Sequence, residues 1–509
     1  MSYFDQKEPP KREDRLHAAI AHGSTICSLA NRKNCKCMND GDRLFTQGSI
    51  CQLLPALAIM NSFADSAILL HGAVGCGSCA LSQNAVVKAG NAARQRPVKD
   101  ALWFSTALDE TDVISGGETK LETAIREIDR RHRPGDIFVV VTCVPALTGD
   151  DVDGLIGKIQ PEAAARLHAV YCQGFKTKIW ATAYDSVYHP IGRDLLGLNP
   201  EEYVPLFTRD ELADLKDEYL RKRTVNVMTV SSMGRVDELE LERILRSLDL
   251  LPNFFPVFAK PEEMYKVTQA AVSISTCPTH DDYLLSHLKE KYGIPYIIGT
   301  MPIGIESTSQ WIRDLAAFFG IQERAERFVE QETAELKQAL KEFEPVFKGK
   351  RAFVSAGEIR AYVTAGLLTE LGFEIAGIRS FHHDEYANPE YEKLAAKTEK
   401  DYVVGIANAQ PFEEANFLKK CAPDIFLGHW NGNSTAAKLG IPASVIYNTG
   451  LNFIGYKGVY EIARRLYKQL KNTAYNRKLS SHVRLPYSDA WYGEDAFKYI
   501  RQAGGEASA

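Results

Sequence analysis

Ten cysteines stand in this 509-residue chain, at Cys27, Cys35, Cys37, Cys51, Cys76, Cys79, Cys143, Cys172, Cys277 and Cys421. In a reducing compartment so many thiols do not imply a disulfide framework. No pair of C-x-x-C units recurs, which argues against a zinc ribbon; Cys76 and Cys79 form a lone one. A free cysteine is most often a small buried apolar side chain, so packing accounts for any one of them taken singly. Position changes the odds. Cys76, Cys143, Cys277 and the imidazole of His429 each stand at or just after the end of an apolar run that reads as a strand. In doubly wound sheets, ligands bind outside the carboxyl ends of the strands. Thiolates favour iron–sulfur clusters and zinc, and imidazole is a competent iron ligand. Ligands so far apart in sequence suit a cluster held in a crevice between domains.

The glycines of HGAVGCG, Gly75 among them, let backbone approach a bulky object, because glycine has no Cβ. Peptide N–H groups in such a turn, beside a helix N-terminus, can donate to sulfide and stabilise negative charge. For Gly149 and Gly357 an ordinary strand-to-helix turn is the simpler account.

The elements that must position these groups repeat one unit. SAILLHG, DIFVVVTC, RLHAVYCQG, TVNVMTVSS, AAVSISTC, RAFVSAG and DIFLGHWNGN are apolar runs, most of them leading into a helical pattern. The stretch after RLHAVYCQG, around Trp180 and Tyr184, is less regular. Unbroken Val/Ile/Ala/Phe runs indicate strands buried on both faces, as in parallel sheets. KYGIP and KLGIP mark turns returning to strands. A charged helical stretch from Ser307 to Lys350 separates two groups of strands and reads as a connector with a solvated face. The expected division is an arm over 1–50, α/β domains over 51–218, 219–345 (with the connector) and 346–477, and a tail over 478–509. The polar, aromatic tail is expected to wrap a partner or its own surface.

Net charge is −5, with 25% charged and 45% hydrophobic residues, which implies no general nucleic-acid or anionic-membrane partner. No apolar stretch approaches the ~20 residues needed to span a bilayer, and the polar N-terminus carries no signal-peptide core. A cytoplasmic protein is the expectation.

The segment from ICQLLPAL through HGAVGCG to VTCVPALTGDDVDG resembles the N-terminal domain of the nitrogenase component 1 α-subunit. VYCQGFKT, STCPTHDDYLLSHLKEKYGIPY, GIRSFHHDEY, PDIFLGHW, KLGIP and FIGYKGVYEIARRL are similar to further blocks of that family, in order, over roughly residues 50–475. The resemblance implies three doubly wound, Rossmann-like parallel-sheet domains around a buried metallocluster. It makes Cys51, Cys76 and Cys143 ligands to half of an 8Fe-7S-type P-cluster shared with a partner. Cys277 becomes the ligand to the terminal iron of an active-site cluster.

Departures from the family pattern are equally informative. By residue counting, Trp180 and Tyr184 occupy the positions of the glutamine and histidine that face dinitrogen. Tyr447 and Asn448 stand where a histidine binds molybdenum or vanadium, and Asn431 where a lysine helps hold homocitrate. An all-iron, carbide-containing cluster of 8Fe-9S-C type, without molybdenum or vanadium, fits the remaining ligands better. His429 is the candidate for its far end, though a histidine after a strand often only bonds locally. His383 is the second candidate, and is read as a donor to a ligand. Glu358 and Arg360, beside Gly357, line either the pocket or a helix end.

Among nitrogenase-like families the chain most resembles the D subunit of methylthio-alkane reductase. That likeness implies ATP-dependent reductive C–S cleavage of thioethers such as dimethyl sulfide or methylthioethanol, giving methanethiol and a hydrocarbon. It also implies a homologous β-type (K) subunit in an α2β2-like heterotetramer and a homodimeric 4Fe-4S iron protein as electron donor. Tyr184 is a proton donor or simply a packed aromatic. The rival expectations are a dinitrogen-reducing α-subunit, a cofactor-assembly scaffold and a tetrapyrrole reductase.

Overall fold

A computed structural model of the chain describes residues 22–31, 51–63, 65–98, 100–175, 181–196, 217–228, 234–259, 261–383, 385–406, 411–428, 430–446 and 450–498. The chain enters this structure through a short strand, β1 (His22–Thr25), whose partner comes much later. The first sheet holds β2 (Ser66–His71), β3 (Leu102–Ser105), β4 (Asp136–Val141) and β5 (Arg166–Tyr171). The second holds β6 (Thr224–Met228), β7 (Leu251–Phe255), β8 (Val272–Ile274) and β9 (Tyr296–Ile297). The third holds β10 (Arg351–Ala356), β11 (Glu374–Ser380), β12 (Val403–Ile406), β13 (Ile425–Gly428) and β14 (Ala443–Val445), with β1 at its edge.

Spatial order explains where ligands can bind. The orders are β3-β2-β4-β5, β7-β6-β8-β9 and β1-β12-β11-β10-β13-β14. All pairings are parallel except β1 with β12. In each sheet the winding reverses beside its central strand, between β2 and β4, between β6 and β8, and between β10 and β13. Connections leave these pairs toward opposite faces and open a crevice at the carboxyl ends. Cys76 and Cys143 follow β2 and β4, Cys277 follows β8, and Gly357 follows β10. The doubly wound α/β architecture expected from the apolar runs is the one observed.

One apolar core joins the second and third sheets and includes Trp311, Val329 and Ile462 from the helices Ile305–Phe319, Gln322–Leu340 and Gly455–Lys471. A second core joins the first and second sheets, through Val187 and Tyr188 of one helix and Leu284, Leu285 and Leu288 of another. The charged connector therefore buries a stripe (Ala325, Val329, Leu336) and keeps its remaining face polar.

Several elements differ from the sequence reading. The stretch around Tyr184 is a helix, Ala181–Pro190, continued by a π-helical turn, Ile191–Leu195. Pro190 has no N–H to donate, which fits a change of hydrogen-bond pattern at that point. Strand β7 was concealed because Pro252 and Asn253 interrupt its apolar run; Asn253 is buried and donates to Asn226 Oδ1 at 2.9 Å. Part of the arm is integral: Ile26 and Leu29 are buried in the core beside β12. The tail folds over its own chain, with Trp491 Nε1 donating to the Phe412 carbonyl at 2.7 Å and Phe497 buried. Phe497 lies so close to β1 that a Cβ on Gly23 would sit 2.1 Å from its ring. No helix of the described residues is long and apolar enough to cross a membrane.

His168 on β5 makes the first sheet pH-sensitive. Its Nε2 lies 2.8 Å from Asp136 Oδ1 and its Nδ1 3.1 Å from Asp194 Oδ2, so both ring nitrogens face carboxylates. Burial works against the charged ring, but the bonds and charges of Asp136 and Asp194 outweigh it and raise the His168 pKa. Burial likewise opposes ionisation of Asp194, yet His168 and Arg193 hold its pKa down at about 2. A pKa raised on folding adds stability that is complete below the unfolded value, near 6.5, and disappears as pH climbs through the folded value. Thermal melts of the wild type should therefore decline from pH 6 to 9 more steeply than those of His168→Gln. Parallel declines would show that the ring is not charged.

Candidate functional site

The loops after β2 and β4 are clamped together at the first crevice. Thr142 donates to the His71 carbonyl from its N–H at 3.1 Å and from its hydroxyl at 2.9 Å. A Cβ on Gly72 would lie 1.9 Å from Thr142 Oγ1, so only glycine permits this approach. His71 Nε2 sits 2.9 Å from Asp150 Oδ2, which also accepts from the Gly117 N–H at 3.1 Å. Burial lowers the His71 pKa despite the neighbouring Asp150 carboxylate. The contact of His71 with Asp150, together with the Thr142 bonds, ties down the chain on both sides of Cys143.

Cys51 arrives from another direction. Gln52, buried beside it, donates through Nε2 to the Gln173 carbonyl at 2.5 Å and accepts from the Thr182 hydroxyl at 2.9 Å. This places the thiol against the turn after β5. A Cβ on Gly174 would be 2.7 Å from Cys51 Sγ and 3.9 Å from Cys143 Sγ. Burial pushes the Cys76 thiol pKa up; a hydrogen bond with Thr142 opposes this, and Cys143 adds to the rise. The three thiols thus face one region. Cys51 is exposed, while Cys76 and Cys143 are half-buried.

Among the described residues, no three His, Cys, Asp or Glu side chains are grouped to hold a single metal ion. The three thiols of this crevice are therefore not arranged as a compact single-ion site. On the Cβ side of Gly75 there is open space, and Val74, Leu147 and Phe175 rim the cradle at 72%, 72% and 50% exposure.

Cys277 is different in kind. It is 4% exposed and caps the helix Pro278–Tyr292 at the end of β8. Asp281 fixes it: its Oδ2 accepts from the N–H of Cys277 at 3.1 Å, from the N–H of Thr276 at 3.0 Å and from the Ser275 hydroxyl at 2.8 Å. The side chain of Cys277 makes no cap hydrogen bond to its helix and belongs to the apolar core that joins the second and third sheets. One turn along, the His280 ring stacks on Tyr184 with centroids 3.9 Å apart and planes 9° apart.

At the third crevice, Gly357 and Glu358 follow β10, and His383 follows β11. Glu358 is fully buried, 3.2 Å from His383 Nδ1, and accepts a short hydrogen bond from the Tyr391 hydroxyl. Arg360 is buried and reaches the Ile446 carbonyl through Nη1 at 3.4 Å. A Cβ on Gly357 would be 3.4 Å from the His382 ring. The Tyr386 hydroxyl lies 3.5 Å from Asp282 Oδ2, linking this crevice with the Cys277 helix.

Trp180, His429, Tyr447 and Asn448 lie outside the described residues, as do Cys35, Cys37 and the side chains of Asn431 and Cys79. Cys172 is buried in the core, and burial pushes the Cys421 thiol up to about 11, which keeps it inert. Sequence reasoning passed over His71, Thr142, Asp150, Gln52, Gly174, Asp281 and His280. Each is a common residue type that gains meaning only through a partner distant in sequence or, for Asp281, through the loop it caps.

The family model for nitrogenase component 1 type oxidoreductases matches residues 51–471. The chain is 27% identical to the nitrogenase iron-molybdenum cofactor biosynthesis protein NifE of Rippkaea orientalis, over 85% of this chain and 87% of the relative. It is 26% identical to the nitrogenase molybdenum-iron protein alpha chain of Methanothermobacter marburgensis, over 73% and 75%. Its fold is similar to the solved structure described as nitrogenase Cp1 at pH 5, with a TM-score of 0.69, 20% identity and coverage of 96% and 99%.

Proposed function

The chain belongs to the nitrogenase component 1 family of oxidoreductases, and from this premise we propose that it is the catalytic, cluster-binding subunit of a reductase that cleaves small methylthio-alkanes. The observation that carries the reading is the separation of its thiols. Three meet in an open cradle, and a fourth is enclosed beside an aromatic pair. An open set suits a relay shared with a second chain, and an enclosed ligand suits a site from which water is excluded.

Cys51, Cys76 and Cys143 would hold half of a P-cluster, with Gly75 leaving room for it; the exposed rim would receive a β-type partner. Cys277, with His429 as the second ligand that the sequence suggests, would hold an all-iron active-site cluster lacking molybdenum or vanadium. The chemistry such clusters supply is storage and delivery of electrons at low potential. Electrons would come from an ATP-dependent iron protein. Cleavage of R–S–CH3 takes up two electrons and two protons, breaks the R–S bond and forms R–H and CH3SH.

The chain's own residues bind, orient and protonate. Tyr184 would supply an aromatic wall suited to an alkyl sulfide, and Trp180 is assigned to the same wall from its place in the sequence alone. Glu358 and His383 share a buried hydrogen-bonded site where a proton is held between carboxylate and Nδ1. Gly357 and Arg360 would complete the lining, with Asn431 assigned to it from the sequence alone.

The test is turnover. The purified complex with iron protein, ATP and a reductant should release methanethiol and methane from dimethyl sulfide, and no product without ATP. Reduction of dinitrogen with bound molybdenum or vanadium would instead identify a nitrogenase. A second reading is favoured by the similarity to cofactor biosynthesis proteins: an assembly scaffold. It predicts cluster transfer to an acceptor apoprotein and no sustained turnover.

A further inference from the structure

The helix that carries Cys277 is locked to the first sheet's helical layer along one stripe. At position 280, the His280 ring lies flat on Tyr184, 3.9 Å between centroids and 9° between planes. At 283, the Tyr283 hydroxyl is 2.8 Å from His189 Nδ1. At 287, His287 Nε2 is 3.1 Å from the Gly192 carbonyl, so close that a Cβ on Gly192 would sit 2.8 Å from that nitrogen. Spacings of three and four residues put all three on one helical face. They face Tyr184, His189 and Gly192, which lie along the helix Ala181–Pro190 and its π-helical continuation. The ladder begins one turn from Cys277 and ends at His287 and Gly192, with the exposed His189 in its middle rung.

From this geometry we infer that His280 is a positioning residue: its ring holds the Tyr184 phenol flat, and so sets the width and shape of the binding space on that side of Cys277. The inference rests on the reading that Cys277 anchors the active-site cluster. Tyr184 is 6% exposed and also meets Tyr188 edge-on at 6.0 Å, so its ring is gripped on its face and from the side. Removing the imidazole frees the face. The phenol can then rotate into the space that a small ligand needs, while the other two rungs keep the helices together. The role assigned to His280 is stacking, which a phenyl ring supplies as well as an imidazole.

The assay uses the whole complex with its partner subunit and iron protein, comparing His280→Ala, His280→Phe, Tyr184→Ala and the double alanine variant. His280→Ala should keep its iron content, raise KM for dimethyl sulfide about tenfold, the scale of one lost pocket contact, and leave kcat within about twofold. It should also broaden the electron paramagnetic resonance signal of the reduced active-site cluster, a readout independent of turnover. His280→Phe should restore both KM and line shape. The double variant should be no worse than Tyr184→Ala alone. An unchanged KM and spectrum in His280→Ala, a His280→Phe variant as damaged as the alanine, or additive losses in the double variant would each overturn the assignment. If the wild type holds the cluster but leaves thioethers intact, the substrate reading fails and the spectroscopic arm still decides the role of His280. A wild type without iron at Cys277 overturns both.

Discussion

Cys277→Ala should yield a complex that folds, assembles and keeps its interface cluster but carries no active-site cluster. The loss should be close to about eight irons per chain if the cluster is of 8Fe type, and thioether turnover should fall to background. The structure explains why the effect is selective. The backbone of Cys277 is held by Asp281 through the main-chain N–H, and the helix start takes no cap hydrogen bond from the cysteine side chain. Alanine therefore preserves the helix start, and the folding cost is that of one small buried side chain, about 1 kcal/mol. A buried cluster without its anchor loses a directed bond that neighbouring packing does not replace. Iron analysis, with a thermal melt as folding control, checks the result. Wild-type iron content would show that Cys277 is a packing residue.

Cys143→Ala should produce the complementary defect. Cys143 starts a helix directly after β4 and lies beside both Cys76 and the turn that seats Cys51. On the proposed reading its removal takes one thiolate from a shared cluster at an open face, where water gains access to the iron and the cluster is lost. The expected outcome is loss of the interface cluster, retention of iron at Cys277 and loss of iron-protein-driven turnover to background. Gly174→Ala should give a graded form of this defect. An added Cβ 2.7 Å from Cys51 Sγ forces the thiol aside without deleting it. The same metal analysis, run with size-exclusion chromatography, reports cluster loss and partner release together. Full activity in Cys143→Ala would remove the relay from the account.

The fold was legible because parallel strands buried on both faces leave continuous apolar runs such as DIFVVV and SAILL. The thiols at Cys76, Cys143 and Cys277 were legible for the same reason, since a strand end can be read once the strand is seen. Strand order was not legible, because nothing local in β2 states that β4 and not β5 lies beside it. Cys51 is the instructive case. It follows no strand, and its place at the cradle depends on Gln52 reaching Gln173, 121 residues away. Likewise Tyr184 was marked in the sequence only by its count from a family block, and nothing there told of the His280 ring stacked on its face. The edge strand β3 was hidden because only half-buried side chains line it, and β1 because four residues in a polar arm carry no period.

Iron-edge anomalous diffraction from crystals of the anaerobically purified complex tests the central claim most directly. The account predicts two separate iron peaks per chain, one facing Cys51, Cys76 and Cys143 at a surface covered by the partner, the other bonded to the Cys277 sulfur inside the chain. A map with no anomalous peak within bonding distance of Cys277 would contradict it.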